Sequence, residues 1–137
     1  MTRLYFPIIS FQGDLRPVIP VGLTNPATNI SLSTLCWIDS GCDLCLFPET
    51  LATDLGHNFT RGTVTQGRGV SGAMFNTYLH TNRLRIADQF GTSVDYRCPT
   101  YFTTSMGGWG LLGLKGFFSH FKVIIDYRNR LITLEEH

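Results

Sequence analysis

The sequence predicts an all-β fold, and three observations lead to that prediction. Threonine, valine, isoleucine and aromatic residues recur in short runs separated by glycine, proline or asparagine, a pattern typical of strands and turns. Hydrophobic residues make up 43% of the chain and charged residues 15%, which provides enough apolar surface for a compact core. The length of 137 residues fits about one domain, so we expect residues 1–137 to form a single domain.

The predicted strands follow one another through short polar or glycine-containing turns. The first two strands flank the turn Gln12-Gly13-Asp14, and the last two flank Tyr127-Arg128-Asn129. A third hairpin has a tip rich in glycine, a residue that lowers the barrier to backbone rearrangement. The tip consists of Gly67, Arg68, Gly69, Val70, Ser71 and Gly72. In chain order, strands are predicted at residues 4–11, 17–23, 34–38, 62–70, 73–79, 84–87, 94–103, 111–113, 121–126 and 130–134.

Two short helical segments interrupt this pattern. Residues 48–55 begin with Pro48, carry Glu49 in the first turn and are followed by Gly56, which are the signals of a helix start and stop. Residues 115–120 are compatible with a short helical turn. We therefore expect strands with one or two short helices.

The charge and hydropathy of the chain exclude several classes of partner. Lys and Arg number 11 and Asp and Glu 10, so the net charge of +1 is too small for a nucleic-acid-binding surface. No apolar run approaches the ~18 residues that a membrane span needs, so no membrane partner is expected. The N-terminal residues lack the apolar segment of a secretion signal, which favours a cytoplasmic location. The four cysteines are then expected to be reduced.

The most informative local feature is the segment Leu35-Cys36-Trp37-Ile38-Asp39-Ser40-Gly41, in which an acidic residue follows an apolar strand directly. The small residues Ser40 and Gly41 allow a tight turn and let a ligand approach the backbone. A carboxylate at this point would be partly desolvated. Asp39 is therefore either a functional carboxylate or only a cap of the turn, since Asp-Ser-Gly is common in loops.

The order of features along residues 4–134 resembles that of the retropepsin-like aspartic peptidases. The apolar-Asp-Ser-Gly motif is followed by the helix at residues 48–55, the glycine-tipped hairpin, the segment Leu111-Leu112-Gly113 and a closing hairpin. The resemblance implies a small closed β-barrel of the acid-protease type with a flap hairpin. It also implies an endopeptidase without cofactor or metal ion that acts on a peptide or protein.

The resemblance assigns roles to individual residues. Asp39 is implied to be catalytic, with Ser40 and Gly41 shaping its turn. The glycine-rich tip at residues 67–72 is implied to be the flap tip over the substrate, and Gly113 is implied to pack beside the catalytic turn. The substrate-cleft candidates are Asp43, Leu44, Met74, Trp109 and Leu111, to which Phe47, Val70, Phe75 and Gly110 are added as further walls. Each of these could equally be an ordinary core residue.

Two positions depart from the family pattern. Ser40 stands where threonine is more usual, and its hydroxyl is implied to hydrogen-bond across a dimer interface. Leu114-Lys115 follows Gly113, where retroviral members typically have Arg followed by Asp or Asn. That Arg usually pairs with an acidic residue matching Asp43, so we hypothesise that Lys115 takes over the pairing.

A single Asp39 cannot carry out the reaction, because one carboxylate must accept a proton from water while another donates one to the amide. Two carboxylates held close in a water-poor cleft share one proton. The chain has one Asp-Ser-Gly turn, and two-fold symmetry supplies a second, so we predict a homodimer. Asp126 is an alternative partner within the chain, but its place before Tyr127-Arg128-Asn129 fits the first position of a turn better.

Other constellations give weaker signals. Cys42 and Cys45 have zinc-ligand spacing, with Cys36, His57 or Cys98 available to complete a set, but no second motif follows. The spacing of Gly67, Gly69 and Gly72 matches a dinucleotide fingerprint without its βαβ context. We expect neither site. The alternative function from another class is a dimeric binding or assembly module that keeps this fold without turnover.

Overall fold

The computed structural model describes residues 1–69 and 71–137, and it confirms the all-β prediction. Within these residues the chain forms twelve strands, one α-helix of six residues and one 3-10 helix of three residues. Val70, a predicted flap residue, lies outside the described residues. Neither helix in this part of the chain has the length and apolar character needed to cross a bilayer.

The elements are named in chain order. The strands are β1 (Arg3–Pro7), β2 (Ile9–Phe11), β3 (Asp14–Arg16), β4 (Val18–Thr24), β5 (Ser31–Ile38), β6 (Leu46–Pro48), β7 (Thr63–Arg68), β8 (Met74–Ala87), β9 (Ser93–Thr103), β10 (Gly110–Leu112), β11 (Phe121–Asp126) and β12 (Leu131–Glu136). The helix α1 spans Glu49–Asp54, directly after Pro48, and the 3-10 helix spans Phe59–Arg61.

The first predicted turn joins two short strands, β2 and β3. Phe11 pairs with Asp14, which leaves Gln12 and Gly13 as a two-residue loop. Both loop residues have positive φ, 55° and 87°. Positive φ at both positions is the geometry of a type I′ turn, whose twist matches that of the flanking strands. The predicted strand at residues 4–11 is divided into β1 and β2, and the one at residues 17–23 corresponds to β4. β3 lies before it, in residues for which no strand is predicted.

Most strands belong to one sheet that closes on itself. The seven strands follow the order β4-β5-β10-β6-β9-β8-β7, and β4 also pairs with β8. In that second pairing, residues 22–24 lie opposite residues 83–85. The pairing establishes a ring of six strands with β7 attached to β8, and the closed barrel of the predicted fold class stays a prediction.

A separate three-stranded sheet joins the two ends of the chain. Its order is β1-β12-β11, with both pairings antiparallel. Leu134 of β12 lies between Leu4 of β1 and Val123 of β11. The N-terminal strand therefore pairs with the C-terminal strand of its own chain.

Aromatic side chains fill much of the core. Phe47, Phe102, Phe117 and Phe121 are at most 1% exposed. The rings of Phe47 and Phe102 lie 5.8 Å apart, and those of Phe117 and Phe121 lie 5.4 Å apart. Burial of each such side chain stabilises the fold by roughly 1.5–3 kcal/mol. Phe47 is therefore a core residue, which corrects its interpretation as a wall of the cleft.

Two other local predictions differ from the structure. The predicted strands at residues 73–79 and 84–87 are parts of a single strand, β8, whose polar middle pairs with β9 and includes the buried Asn82. Residues 116–120, in the segment predicted as a short helical turn, form turns that do not extend into a helix, and Lys115 forms an isolated bridge with Leu44. The Phe121 N–H donates to the Phe117 carbonyl oxygen at 2.9 Å, and this single α-helical bond leads directly into β11.

Candidate active site

Asp39 leaves the sheet from an interior strand. β5 lies between β4 and β10, and its last residue, Ile38, pairs in parallel with Leu112 of β10. The Asp39 N–H continues this ladder by donating to the Leu112 carbonyl oxygen at 3.0 Å. The sheet therefore fixes the backbone position of Asp39.

The residues after Asp39 form a tight turn, here called the Asp39 turn (residues 39–42). The Gly41 N–H donates to Oδ1 of Asp39 at 2.9 Å, and the Cys42 N–H donates to the Asp39 carbonyl oxygen at 3.2 Å. A Cβ at Gly41 would lie 3.2 Å from Oδ1, so a larger residue would crowd the carboxylate. The half-buried carboxylate of Asp39 is thus oriented by one backbone donor, and the neighbouring Ser40 is exposed to solvent.

Gly113 lies against the far side of this turn. A Cβ at Gly113 would collide with the carbonyl oxygens of Cys42 and Leu44. The next two residues bind the same segment through backbone hydrogen bonds. The Leu114 N–H donates to the Cys42 carbonyl oxygen at 2.8 Å, and the Lys115 N–H donates to the Asp43 carbonyl oxygen at 2.9 Å. Only a residue without a side chain lets the two segments approach this closely.

The hypothesised pairing of Lys115 with Asp43 does not occur between side chains. Four ion pairs join described residues, and none includes Lys115 or Asp43. Both side chains are exposed. The contact between the two residues consists of the backbone hydrogen bond, which holds the segment after Gly113 in place without a side-chain ion pair.

A cleft of about 500 Å³ lies over the Asp39 turn. Its walls come from the Asp39 turn and the chain that follows it, from both strands of the β7–β8 hairpin, and from β10. The lining residues are Asp39, Gly41, Cys42, Asp43, Leu44, Leu46, Gln66, Gly67, Arg68, Gly69, Met74, Phe75, Thr77 and Leu111. The structure thus brings the Asp39 carboxylate, the hairpin and most of the predicted cleft residues together in one place.

The β7–β8 hairpin forms one wall of this cleft. Arg68 pairs with Met74, and Gly67 pairs with Phe75. The ladder continues beyond the strands, because the Gly69 N–H donates to the Ala73 carbonyl oxygen at 2.9 Å. Ser71 and Gly72 are exposed and do not line the cleft.

Trp109 does not line the cleft. Its ring meets the ring of Phe11 edge-on, with centroids 5.1 Å apart, and Phe11 in turn contacts Trp37 at 6.0 Å. Gly110 is buried, and a Cβ there would lie 2.6 Å from the Phe47 ring. These residues pack the structure beside the cleft.

Sequence reasoning missed four lining residues, Cys42, Leu46, Gln66 and Thr77, of which the sequence indicates Cys42 only as a metal ligand. The alternation of a strand could have indicated Thr77, which lies two residues after Phe75 and so on the same face of β8. Leu46 has no comparable signal, because it reaches the cleft through its pairing with Leu111 of β10. The Oγ1 hydroxyl of Thr77 donates to the Thr65 carbonyl oxygen at 2.9 Å and so ties the two strands of the hairpin together.

The cysteines are not arranged as a metal site. Among the described residues, no three His, Cys, Asp or Glu side chains come together to hold a metal ion. Burial raises the pKa of the Cys36 thiol and of the Cys42 thiol, so both are protonated at neutral pH. The Cys42 thiol donates to the Leu44 carbonyl oxygen at 3.1 Å and thereby supports the Asp39 turn.

Comparison with solved structures identifies the fold. One similar structure is the crystal structure of a retropepsin-like aspartic protease from Rickettsia conorii. The superposition covers 98% of this chain and 99% of that protein, with a TM-score of 0.63 and 17% sequence identity. A second is EIAV protease in complex with the inhibitor HBY-793, for which the superposition covers 77% of this chain and 88% of that protein, with a TM-score of 0.39 and 20% sequence identity. No protein-family model matches the sequence, and no curated protein does so either. On the first of these structures, the chain has the retropepsin-like fold that its motifs resemble.

Proposed function

We propose that the protein is an aspartic endopeptidase that works as a homodimer, with Asp39 of each subunit forming the catalytic pair. The observation that carries this proposal is the position of the Asp39 carboxylate. It is half-buried in a cleft of about 500 Å³, under a hairpin that can cover an extended peptide. The Gly41 N–H donates a hydrogen bond to Oδ1 of Asp39 and so fixes the orientation of the carboxylate in the cleft.

The chemistry follows from two carboxylates that share one proton. The ionised Asp39 accepts a proton from a water molecule as that water attacks the peptide carbonyl carbon, and the protonated Asp39 of the partner donates its proton to the carbonyl oxygen. The tetrahedral intermediate then collapses: the first Asp39 gives its proton to the amide nitrogen, the C–N bond breaks, and a hydroxyl proton returns to the partner's Asp39. Because the pair titrates as a unit, its protonation is a property of the dimer and not of either residue alone. Ser40 and Gly41 keep the turn small enough for the substrate backbone to approach.

The lining of the cleft indicates how a peptide would be held. Backbone groups at the edges of the β7–β8 hairpin suit an extended chain, which adds to a hairpin as a further strand. Leu44, Leu46, Met74 and Leu111 give the pocket an apolar lining, so apolar side chains next to the scissile bond are favoured. In this arrangement the β7–β8 hairpin is the flap, and Gly67, Arg68 and Gly69 are its contacts with the substrate.

The Asp39→Asn substitution tests the proposal. The amide cannot accept a proton from water, so cleavage of a peptide library should fall by about 100- to 10,000-fold while the fold and dimer persist. Asp54→Asn is the matched control, since Asp54 is an exposed carboxylate on α1. Equal cleavage by the Asp39→Asn and native proteins would reject the proposal. A folded native dimer that cleaves nothing at any pH would instead indicate the binding or assembly module.

A further inference from the structure

The outer face of the closed sheet carries a block of side chains away from the cleft. β5, β4, β8 and β9 lie side by side there, and buried side chains alternate with outward ones along them. We call the outward block the arginine face. Its rows, from β5 to β9, are Ser31, Thr24, Arg83 and Arg97, then Ser33, Gly22, Arg85 and Asp95, then Leu35, Pro20, Ala87 and Ser93. None of these described residues lines the cleft.

The arginine face concentrates positive charge. It holds three of the 11 basic side chains and one of the 10 acidic ones, so its net charge is +2, whereas the rest of the chain has a net charge of −1. Arg83 forms an ion pair with Asp95 at 2.5 Å. Among the described residues, no ion pair includes Arg85 or Arg97, and both are exposed. Two guanidinium groups are therefore available to an anion.

The arrangement of these charges is unfavourable for the chain alone. Arg83 and Arg97 lie directly opposite each other in the β8–β9 ladder, and like charges at directly opposed positions destabilise a sheet. Asp95 neutralises the charge of only one of them. A local arrangement that lowers stability without compensation is typical of a group that serves a binding site.

The arginine face also has a depression and an apolar border. The depression, of about 170 Å³, lies at Gly22, where no side chain fills the space beside Arg85. The row next to it is apolar over three strands, because Leu35 is 39% exposed and Pro20 and Ala87 are exposed as well. A ligand that spans the rows would therefore meet positive charge at one end and apolar groups at the other.

The dimensions of the arginine face limit its occupant. Neighbouring strands lie about 4.8 Å apart and alternate residues of a strand about 6.8 Å apart, so three rows over four strands cover roughly 14 Å by 14 Å. A stable interface between folded proteins buries about 800 Å² on each partner, several times this area. An extended segment of about four or five residues, at about 3.3 Å per residue, matches the face in length.

We propose that the arginine face binds a short acidic segment of a partner protein, whose carboxylates pair with Arg85 and Arg97 and whose apolar side chains contact the row that begins at Leu35. A carboxylate matches the fork of guanidinium donors and forms two parallel hydrogen bonds with it. Nucleic acid fits less well, because neutralising a phosphate backbone needs a larger excess of positive charge, and a phosphate backbone offers nothing to the apolar row.

This inference goes beyond the proposed peptidase and does not depend on it, because the described residues of the arginine face and of the cleft do not overlap. Fluorescence polarisation of a labelled peptide tests it. The probe has three glutamates followed by two leucines, and the control peptide has glutamines in place of the glutamates. The probe should bind saturably at about 50 mM salt and much more weakly at about 500 mM salt, where charges are screened within a few ångströms. The glutamine peptide should bind at least about tenfold more weakly than the probe.

Substitution of the two available arginines locates the bound peptide. Arg85→Gln/Arg97→Gln should raise the Kd of the probe at least about tenfold, because two charge-assisted pairs are lost while the length of the side chains is nearly kept. Arg128→Gln is the matched control. Arg128 is an exposed arginine in the turn between β11 and β12, so its loss should leave the Kd unchanged.

Charge reversal separates binding from support of the fold. Arg97→Glu places an opposite charge across from Arg83, so the urea midpoint should equal or exceed that of the native protein. The same substitution should weaken binding of the probe, because it repels glutamate. A residue that only supports the fold would not combine weaker binding with undiminished stability.

The outcomes distinguish this inference from the proposed activity. An unchanged Kd in Arg85→Gln/Arg97→Gln overturns the inference. Binding that responds to Arg68→Gln instead also overturns it, because Arg68 is the only basic residue among the described residues that line the cleft. A single-stranded oligonucleotide that binds through Arg97 where the probe does not would overturn it in favour of nucleic acid. Probe binding as expected without any peptide cleavage supports the inference and overturns the proposed function, and cleavage without probe binding does the reverse.

Discussion

Gly113 controls how closely β10 and the Asp39 turn approach each other. Its missing side chain leaves room for the carbonyl oxygens of Cys42 and Leu44, which are backbone atoms and cannot rotate away. The residue before Gly113, Leu112 at the end of β10, accepts the hydrogen bond from the Asp39 N–H at its carbonyl oxygen. A displacement at Gly113 would therefore be transmitted to the carboxylate itself.

We expect Gly113→Ala to destabilise the protein by about 2 kcal/mol or more, because overpacking against rigid backbone forces both segments apart. Urea denaturation monitored by tryptophan fluorescence measures the effect. Gly107→Ala is the matched control, since a Cβ at Gly107 meets no atom within 4 Å, and it should change the free energy of unfolding by less than about 0.5 kcal/mol. Equal stability of the two variants would contradict the packing role of Gly113.

At the scale of elements, a polar network ties the chain after α1 to the middle of β8. Asn82 is fully buried, and its amide nitrogen donates to Oγ1 of Thr100 at 2.6 Å. Its Oδ1 must then accept a hydrogen bond, which comes from Nε2 of His57 at 2.7 Å. Nδ1 of His57 faces the amide nitrogen of Asn25 at 3.4 Å and so acts as the acceptor. The network requires His57 to be neutral.

This requirement makes the stability of the fold depend on pH. Burial lowers the pKa of His57 and the nearby His80 lowers it further, while the hydrogen bond to Asn82 acts in the opposite direction. Because the folded-state pKa lies below the unfolded value of about 6.5, the unfolded chain binds more protons at mildly acidic pH. The contribution of His57 is therefore fully present above that value and is lost as the pH falls through the folded-state pKa.

We expect His57→Gln to reduce the loss of stability between pH 7.5 and pH 5.5, since glutamine can donate to Asn82 and does not titrate. The free energy of unfolding at the two pH values measures this loss in the native and variant proteins. His137→Gln, which replaces an exposed terminal histidine, should leave the native pH dependence unchanged. An unaltered slope in His57→Gln would show that another group causes the dependence.

The same elements show what the sequence can predict. Gln12-Gly13 and Pro48 mark their turn and helix because local backbone chemistry decides those structures. β8 is predicted as two strands because Asn82 and its polar neighbours interrupt the apolar pattern, and the burial of Asn82 depends on its partner Thr100 in β9, which a local pattern does not show. The Asp39 motif is recognisable from the order of features that follow it along the chain, whereas the position of Leu46 in the cleft depends on pairing with β10, which is distant along the chain.

At the scale of the whole molecule, the described chain holds one Asp39 in one cleft, so the proposed reaction belongs to a pair of chains. A dimer that contains one subunit without the carboxylate should therefore be inactive, even though its other subunit is native. This property distinguishes a shared site from two independent ones. It can be measured without knowledge of the interface.

We expect peptidase activity to fall when the native protein is mixed with Asp39→Asn subunits. If the two kinds of chain pair at random, an equal mixture contains about half as many native pairs as the same amount of native protein alone, so activity should fall to about half. An excess of variant should reduce it further, as pairs with a single carboxylate accumulate. Asp54→Asn subunits, which keep Asp39, should not lower the activity. Activity that stays constant on addition of Asp39→Asn subunits, after dilution and re-concentration to allow exchange, would show that each chain acts alone.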